Sequence, residues 1–271
     1  MLKKTLLLPY FILLFEVQTT DERLIFNEKA RLLKPENSFS QNLVTVGRSF
    51  LGAPYGHHTL ENNAEEKLVV NLKQFDCLTF VENTVAICLP KRPDFNEFDS
   101  FLANLTSLRY RDGIIDGYGS RLHYFSEWLL QQQNAGRLRL ISEELGGVSW
   151  QKKIGFMSRK RPFFPGLADS AAFEKVKLAE VRLSEQPLFF IPKTRIRQME
   201  DKIEEGDLLV FTSSKPDLDV THEGFAVRQN GRIHLLHASS EFGRVLISRW
   251  PVADYLPRNK GQSGMMVARF Y

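Results

Sequence analysis

The chain has 271 residues, 43% hydrophobic and 25% charged, with 21 phenylalanines and a net charge of +4. That size and apolar content suffice for one large packed domain or two small ones, and they exclude a disordered or fibrous chain. So small a positive excess, spread along the chain, forms no basic stripe, and nucleic acid is not expected as a partner.

The first residues, "MLKKTLLLPYFILLF", place two lysines before an apolar run from Leu6 to Phe15. This reads as a signal peptide over residues 1–20, cut within 17–20; the run is too short to span a membrane. No cysteine follows the run, which argues against a lipid anchor. The competing reading is an apolar N-terminal helix packed on the domain. Export would place the mature protein, residues 21–271, in the periplasm as a monomer without a stable membrane anchor.

Charged and apolar residues alternate with helical spacing from Asp21 to Leu33, and Ser38 or Ser40 could cap a second helix running to Phe50. "GAPYG", residues 52–56, ends it in a turn. Next comes "FDCLTFVE", with Cys77 at the start of a helix whose apolar positions include Val81, Val85 and Cys88, stopped by Pro90. Cys77 and Cys88 are the two cysteines. Eleven helical residues separate them by roughly 16 Å, too far for a disulfide, which needs Cα atoms within about 7 Å.

Residues 91–200 read as a large, mostly helical insertion, with helices over Ser120–Gln133 and Ser170–Arg182 and a basic, aromatic loop "MSRKRPFFPG". The last seventy or so residues change character. "GDLLVFT", "HEGFAVR", "RIHLLHAS", "RVLISRW" and "GMMVARF" are short β-prone runs, two of them joined by an Asn-Gly hairpin turn. Helices first and an antiparallel sheet last make the class α+β.

A cysteine at a helix N-terminus can be a nucleophile, because unpaired N–H groups and a nearby histidine lower its pKa; a lone cysteine there is also an ordinary core residue. Asp76 opposes ionisation and suits a helix cap or a substrate contact. Among the six histidines, His222 begins one hairpin strand and His237 ends the next, so the two ends should meet. Ser239 shares the strand face of His237, and His234 points oppositely. Glu82, five residues beyond Cys77, lies about 140° round the helix and is not expected to be catalytic.

The ordered set "LGAPYG", "FDCLTF", "EEGDLLVF", "THEGFAV" and "IHLLHAS" resembles the NlpC-type, papain-like cysteine hydrolases of bacteria. The fit is best over residues 43–89 and 203–245. It departs where Leu-Thr follows Cys77 in place of Ser-Gly, and where about a hundred residues separate the cysteine helix from the sheet. That insertion resembles the N-acetylmuramoyl-L-alanine amidase branch.

The resemblance implies an antiparallel sheet packed on the nucleophile helix, with the insertion 91–200 shaping the substrate groove of a single catalytic domain. It implies Cys77 as nucleophile, His222 as base and His237 as the orienting third residue, with Ser239 as a substitute. Tyr55 would stand in the pocket beside the oxyanion, with the backbone N–H of Cys77 as main donor. Arg109, Arg111 and Arg121 are candidates for a substrate carboxylate, or ordinary surface charges paired with Asp112 or Asp116. The implied reaction is cleavage of the amide between the lactyl group of N-acetylmuramic acid and L-alanine in muropeptides, with no cofactor and no metal. The alternative within the superfamily is a D-glutamyl–diamino acid endopeptidase. Two readings from other classes are a zinc hydrolase drawing on His57, His58, His222 and His237, and a non-catalytic wall-binding module. "HLLH" on a strand turns its imidazoles to opposite faces, which weakens the zinc reading.

Overall fold

A computed structural model describes residues 20–61 and 65–271. The expected signal peptide therefore lies outside the described residues, apart from Thr20. Among them, no helix is long and apolar enough to cross a membrane.

Helix α1 (Thr20–Ala30) and helix α2 (Phe39–Arg48) come first. Ser38, not Ser40, caps α2, in a reciprocal box with Gln41. Helix α3 (Cys77–Cys88) has the sequence-expected bounds for a physical reason at each end. Asp76 caps its start, and Leu89 turns extended because Pro90 disfavours a helical residue before it. Helix α4 (Glu97–Arg109) packs against α3. The fully buried ion pair Arg109 Nε–Glu82 Oε2, 2.7 Å, ties the two together.

The segment expected to be a mostly helical insertion differs from that expectation. It holds helices α5 (Phe125–Asn134), α6 (Phe156–Arg159), α7 (Ser170–Glu185) and α8 (Ile196–Met199). It also contributes strands β1 (Leu138–Leu140), β2 (Val148–Trp150) and β3 (Leu188–Pro192) to the main sheet. The helix expected from Ser120 begins only at Phe125. Residues 121–124 instead run extended, with the Leu122 N–H donating to the Arg109 carbonyl at 2.9 Å. Tertiary pairing against the end of α4 overrides the helical pattern there.

The remaining elements are β4 (Leu208–Ser213), β5 (Val220–Gln229), β6 (Arg232–Ser239), β7 (Arg244–Ile247), α9 (Val252–Tyr255) and β8 (Gln262–Phe270). All pairings are antiparallel, in the order β2-β3-β8-β4-β5-β6-β7, with β1 also on β8. Asn230 and Gly231 both have positive φ, as the tight hairpin between β5 and β6 requires.

Both faces of this sheet are buried. Leu208, Val210, Phe225, Val227, Leu236 and Ala238 pack towards α3, where Phe225 meets Phe80 edge-on at 5.9 Å between ring centres. Leu209, Phe211, Ala226, Ile233 and Leu235 form a second core on the other face, with Val252 and Ala253 of α9. Central strands covered on both sides lose polar alternation, and β4 is buried along its whole length.

Candidate active site

The chain enters α3 through a short parallel bridge between Tyr55 and Phe75. The Gly56 N–H donates to the Phe75 carbonyl and the Phe75 N–H to that of Pro54, each at 3.0 Å. This sets Tyr55 beside Asp76 and Cys77. The Asp76 carboxylate accepts from the Thr79 N–H and hydroxyl, both at 2.7 Å, and the Asp76 N–H donates to the Thr79 hydroxyl at 3.0 Å. The threonine after "FDCL" thus completes a capping box. The cap leaves the next N–H, that of Leu78, directed at the half-buried Cys77 thiol.

The carboxyl of Glu223, which is 4% exposed, lies close enough to the thiol to act on it electrostatically. Burial raises the thiol pKa well above its ordinary value, and the charges of Glu223 and Asp76 push the same way. Burial likewise pushes Glu223 up to about 8, with the thiol hydrogen bond opposing and Asp76, Asp219 and Glu82 adding to the rise. The Tyr55 hydroxyl is raised by burial and by the charges of Cys77, Asp76 and Glu223.

His222 is next to Glu223 on β5, and adjacent strand residues face opposite ways. Its direct cross-strand partner is Phe211 of the second core, whereas Glu223 opposes Val210 of the α3-side core. The hairpin does bring His222 to His237, Nε2 to Nδ1 at 2.5 Å, with rings edge-on. Gly224 makes room for this pair: a Cβ there would lie 2.9 Å from that of His237 and 2.6 Å from the Leu236 carbonyl. Tyr255 of α9 stands against His237 at 6.3 Å between ring centres. Burial lowers His222 to about 4, and burial together with His222 lowers His237. The structure therefore brings the expected base His222 and orienting residue His237 together. Ser239 is not part of that pair; it accepts from the Phe242 N–H at 3.3 Å.

A groove of about 1170 Å³ opens beside the start of α3. Tyr55, Asp76 and Leu78 form one wall; Tyr118, Arg121 and Phe163 of the insertion face them. Of the three candidate arginines, only Arg121 reaches it. Arg121 is held by Glu61 at 3.0 Å and Glu66 at 3.2 Å, with its guanidinium over the Tyr118 ring at 4.8 Å. Arg109 is spent on Glu82 and the Val69 carbonyl, and Arg111 on Glu127 and the Gly119 carbonyl, so neither is available to a substrate. The expected neighbours Asp112 and Asp116 pair with neither; Asp116 is taken by Lys175.

Among the described residues, no three His, Cys, Asp or Glu side chains converge to hold a metal ion. Cys77 and Cys88 are both free thiols at the two ends of α3.

A family model described as AmiA-like, N-acetylmuramoyl-L-alanine amidase-like, matches residues 45–265. The chain belongs to this family. An N-acetylmuramoyl-L-alanine amidase structure from Bacteroides uniformis is 32% identical with a TM-score of 0.80, covering 87% of this chain and all of its own. A second amidase structure from the same organism is 34% identical with a TM-score of 0.78, covering 84% and 98%. A Bacteroides fragilis structure described as a candidate xylanase is 33% identical with a TM-score of 0.74, covering 83% and 99%. No curated protein matches the chain significantly.

Glu223 is the site residue that sequence reasoning passed over, although it stands inside "THEGFAV". Phe225 and Val227 share its parity, but with both faces buried the apolar pattern does not label the helix-facing side.

Proposed function

We propose that this protein is an exported N-acetylmuramoyl-L-alanine amidase that uses Cys77 as its nucleophile and acts on muropeptides. The observation that carries the reading is the Cys77 thiol in the first turn of α3, beside a large groove, in a chain of the amidase-like family. Cys77 Sγ attacks the lactyl carbonyl, and the N–H groups at the helix start receive the developing oxyanion. The amine of L-alanine leaves, and water then releases the acyl group from sulfur. Tyr55 borders the reacting carbonyl. Arg121 lines the groove but is 4% exposed and held by Glu61 and Glu66, so a peptide carboxylate pairs with it only by displacing one of them.

The papain-like ancestry, the single catalytic domain over residues 21–271 and periplasmic residence belong to this same reading. A glycosidase reading, which the xylanase description of one relative raises, needs two free carboxylates flanking the bond. Glu61 and Glu66 in the groove are instead committed to Arg121, and Glu66 also to the Tyr110 hydroxyl at 2.8 Å.

Mass spectrometry of muropeptides incubated with the wild type and with Cys77→Ala tests the proposal. A free peptide beginning with L-alanine plus its sugar, absent with the variant, supports it. A split after D-glutamate makes the protein an endopeptidase. Binding without any product returns it to a wall-binding module.

A further inference from the structure

We propose that the insertion's side of the groove is a subsite for the sugar of a muropeptide, with the ring of Phe163 as its platform and the Tyr118 hydroxyl as its polar contact. The proposal rests on the amidase reading given above.

Phe163 is 81% exposed, more than any other large hydrophobic residue among those described, and none of the other exposed ones lines the groove. A single exposed apolar side chain is ordinary. What singles this one out is how firmly its backbone is held. Phe163 ends the first of two 3-10 turns, Arg161–Phe163 and Pro165–Ala168. Arg161 ties them together, donating to the Leu167 carbonyl at 2.8 Å and the Ala168 carbonyl at 3.2 Å while lying over the Phe173 ring at 4.2 Å. The next residue, Phe164, turns inwards and meets Phe156 edge-on at 6.2 Å. Gly166 then lets the loop lie against Tyr118, because a Cβ there would come within 2.3 Å of that ring. Gly119 does the same at the start of α7, where a Cβ would lie 2.9 Å from the Ala172 backbone. The exposed ring is thus carried on a backbone fixed before any ligand arrives, and such preorganisation lowers the entropy cost of binding.

The chemistry of this wall suits a sugar better than a stem peptide. A stem peptide brings ionised carboxylates, whereas an N-acetylated pyranose brings hydroxyls, an amide and an apolar C–H face. Among the described residues the charges of this wall are already engaged. Arg121 is held by Glu61 and Glu66, and Asp169 caps α7 by accepting from the Ala172 N–H at 2.6 Å. His123 donates from Nε2 to the Tyr118 carbonyl at 2.8 Å, and burial keeps it neutral by lowering it to about 3. Exposed Glu65 and Lys67 lie instead on the segment that follows Tyr55. The Tyr118 ring is gripped by Gly166, by the Arg121 guanidinium and by the His123 ring at 4.4 Å. Its hydroxyl, however, has no hydrogen-bond partner among the described residues, and it borders the groove. A phenol placed so can donate to a sugar oxygen. The negative face of the Phe163 ring can meet the slightly positive C–H hydrogens of the pyranose.

The test measures kcat/KM on two substrates, an N-acetylmuramoyl tripeptide and the same tripeptide carrying a D-lactoyl group alone. The wild type should favour the first. Phe163→Ala should cut that preference about tenfold, through KM rather than kcat. Phe163→Tyr, which keeps the ring, should retain it. Tyr118→Phe should lower the preference by about threefold or more. Thermal melts check that all three variants fold. A wild type without preference, or an Ala variant that loses both substrates equally or neither, overturns the subsite and leaves the amidase reading standing. Cleavage of neither substrate by the wild type would instead remove that reading.

Discussion

Glu223 and His222 are consecutive on one strand, yet they belong to two different polar clusters. Glu223 meets a thiol at the mouth of a groove, while His222 meets a second imidazole under α9. Each pair is desolvated, and desolvation moves the two in opposite directions: it raises the acid and the thiol and lowers the imidazoles. The comparison teaches that one residue of register sends neighbouring side chains into two separate polar environments here, because the side-chain period of a strand is two.

The sharpest way to break this division is at the two ends of it. Cys77→Ala should lower muropeptide turnover by about 10⁴-fold or more, and His237→Gln, which acts only through His222, by less. Equal losses in a turnover assay would mean the two faces act as one site. A large effect on stability is expected where the helix bearing Cys77 is anchored. Arg109→Met strands the Glu82 carboxylate and should cost about 3–5 kcal/mol in urea unfolding. A cost below 1 kcal/mol would show that Glu82 takes its proton and needs no cation.

The two pairs should also leave opposite marks on stability against pH. The folded-state pKa of Glu223 is raised, so its contribution is full below pH 4.5 and is lost as pH rises through about 8. Glu223→Gln should remove that loss and raise the melting temperature above pH 8. The imidazoles are depressed, so their contribution is present above pH 6.5 and is lost as pH falls through about 4. For His222 alone this amounts to about 3 kcal/mol, and His222→Asn should flatten the acid limb of melting curves taken from pH 7 to 4. The smallest effect expected is at the cap. Asp76→Ala should cost about 1 kcal/mol by chemical denaturation, with turnover reduced further if the cap also aims the thiol.

Much of this molecule was legible before its structure. Asp-Cys before an apolar period of 3.6 and a terminal proline fixed both ends of α3, and Asn-Gly gave the hairpin that joins His222 to His237. The face of that hairpin was not legible. A strand with apolar residues on both sides fits a helix on either, and only the docking of Phe225 on Phe80 shows which face meets α3. The insertion was read as helical because β1, β2 and β3 are each five residues or shorter and carry no alternation of their own. They become strands by pairing with one another or with β8. Arg109 and Arg111 looked like ligands because sequence shows a charge but not the carboxylate that meets it.

The place of β8 carries a consequence of a different kind. This strand follows every other in the chain, yet it lies inside the sheet, where β1, β3 and β4 all hydrogen-bond to it. The two halves of the sheet therefore have no common partner until Gln262–Phe270 have been synthesised. Until then the nascent chain exposes two unfinished strand edges and cannot close its core. A protein built in this order completes its sheet only when its last strand is in place.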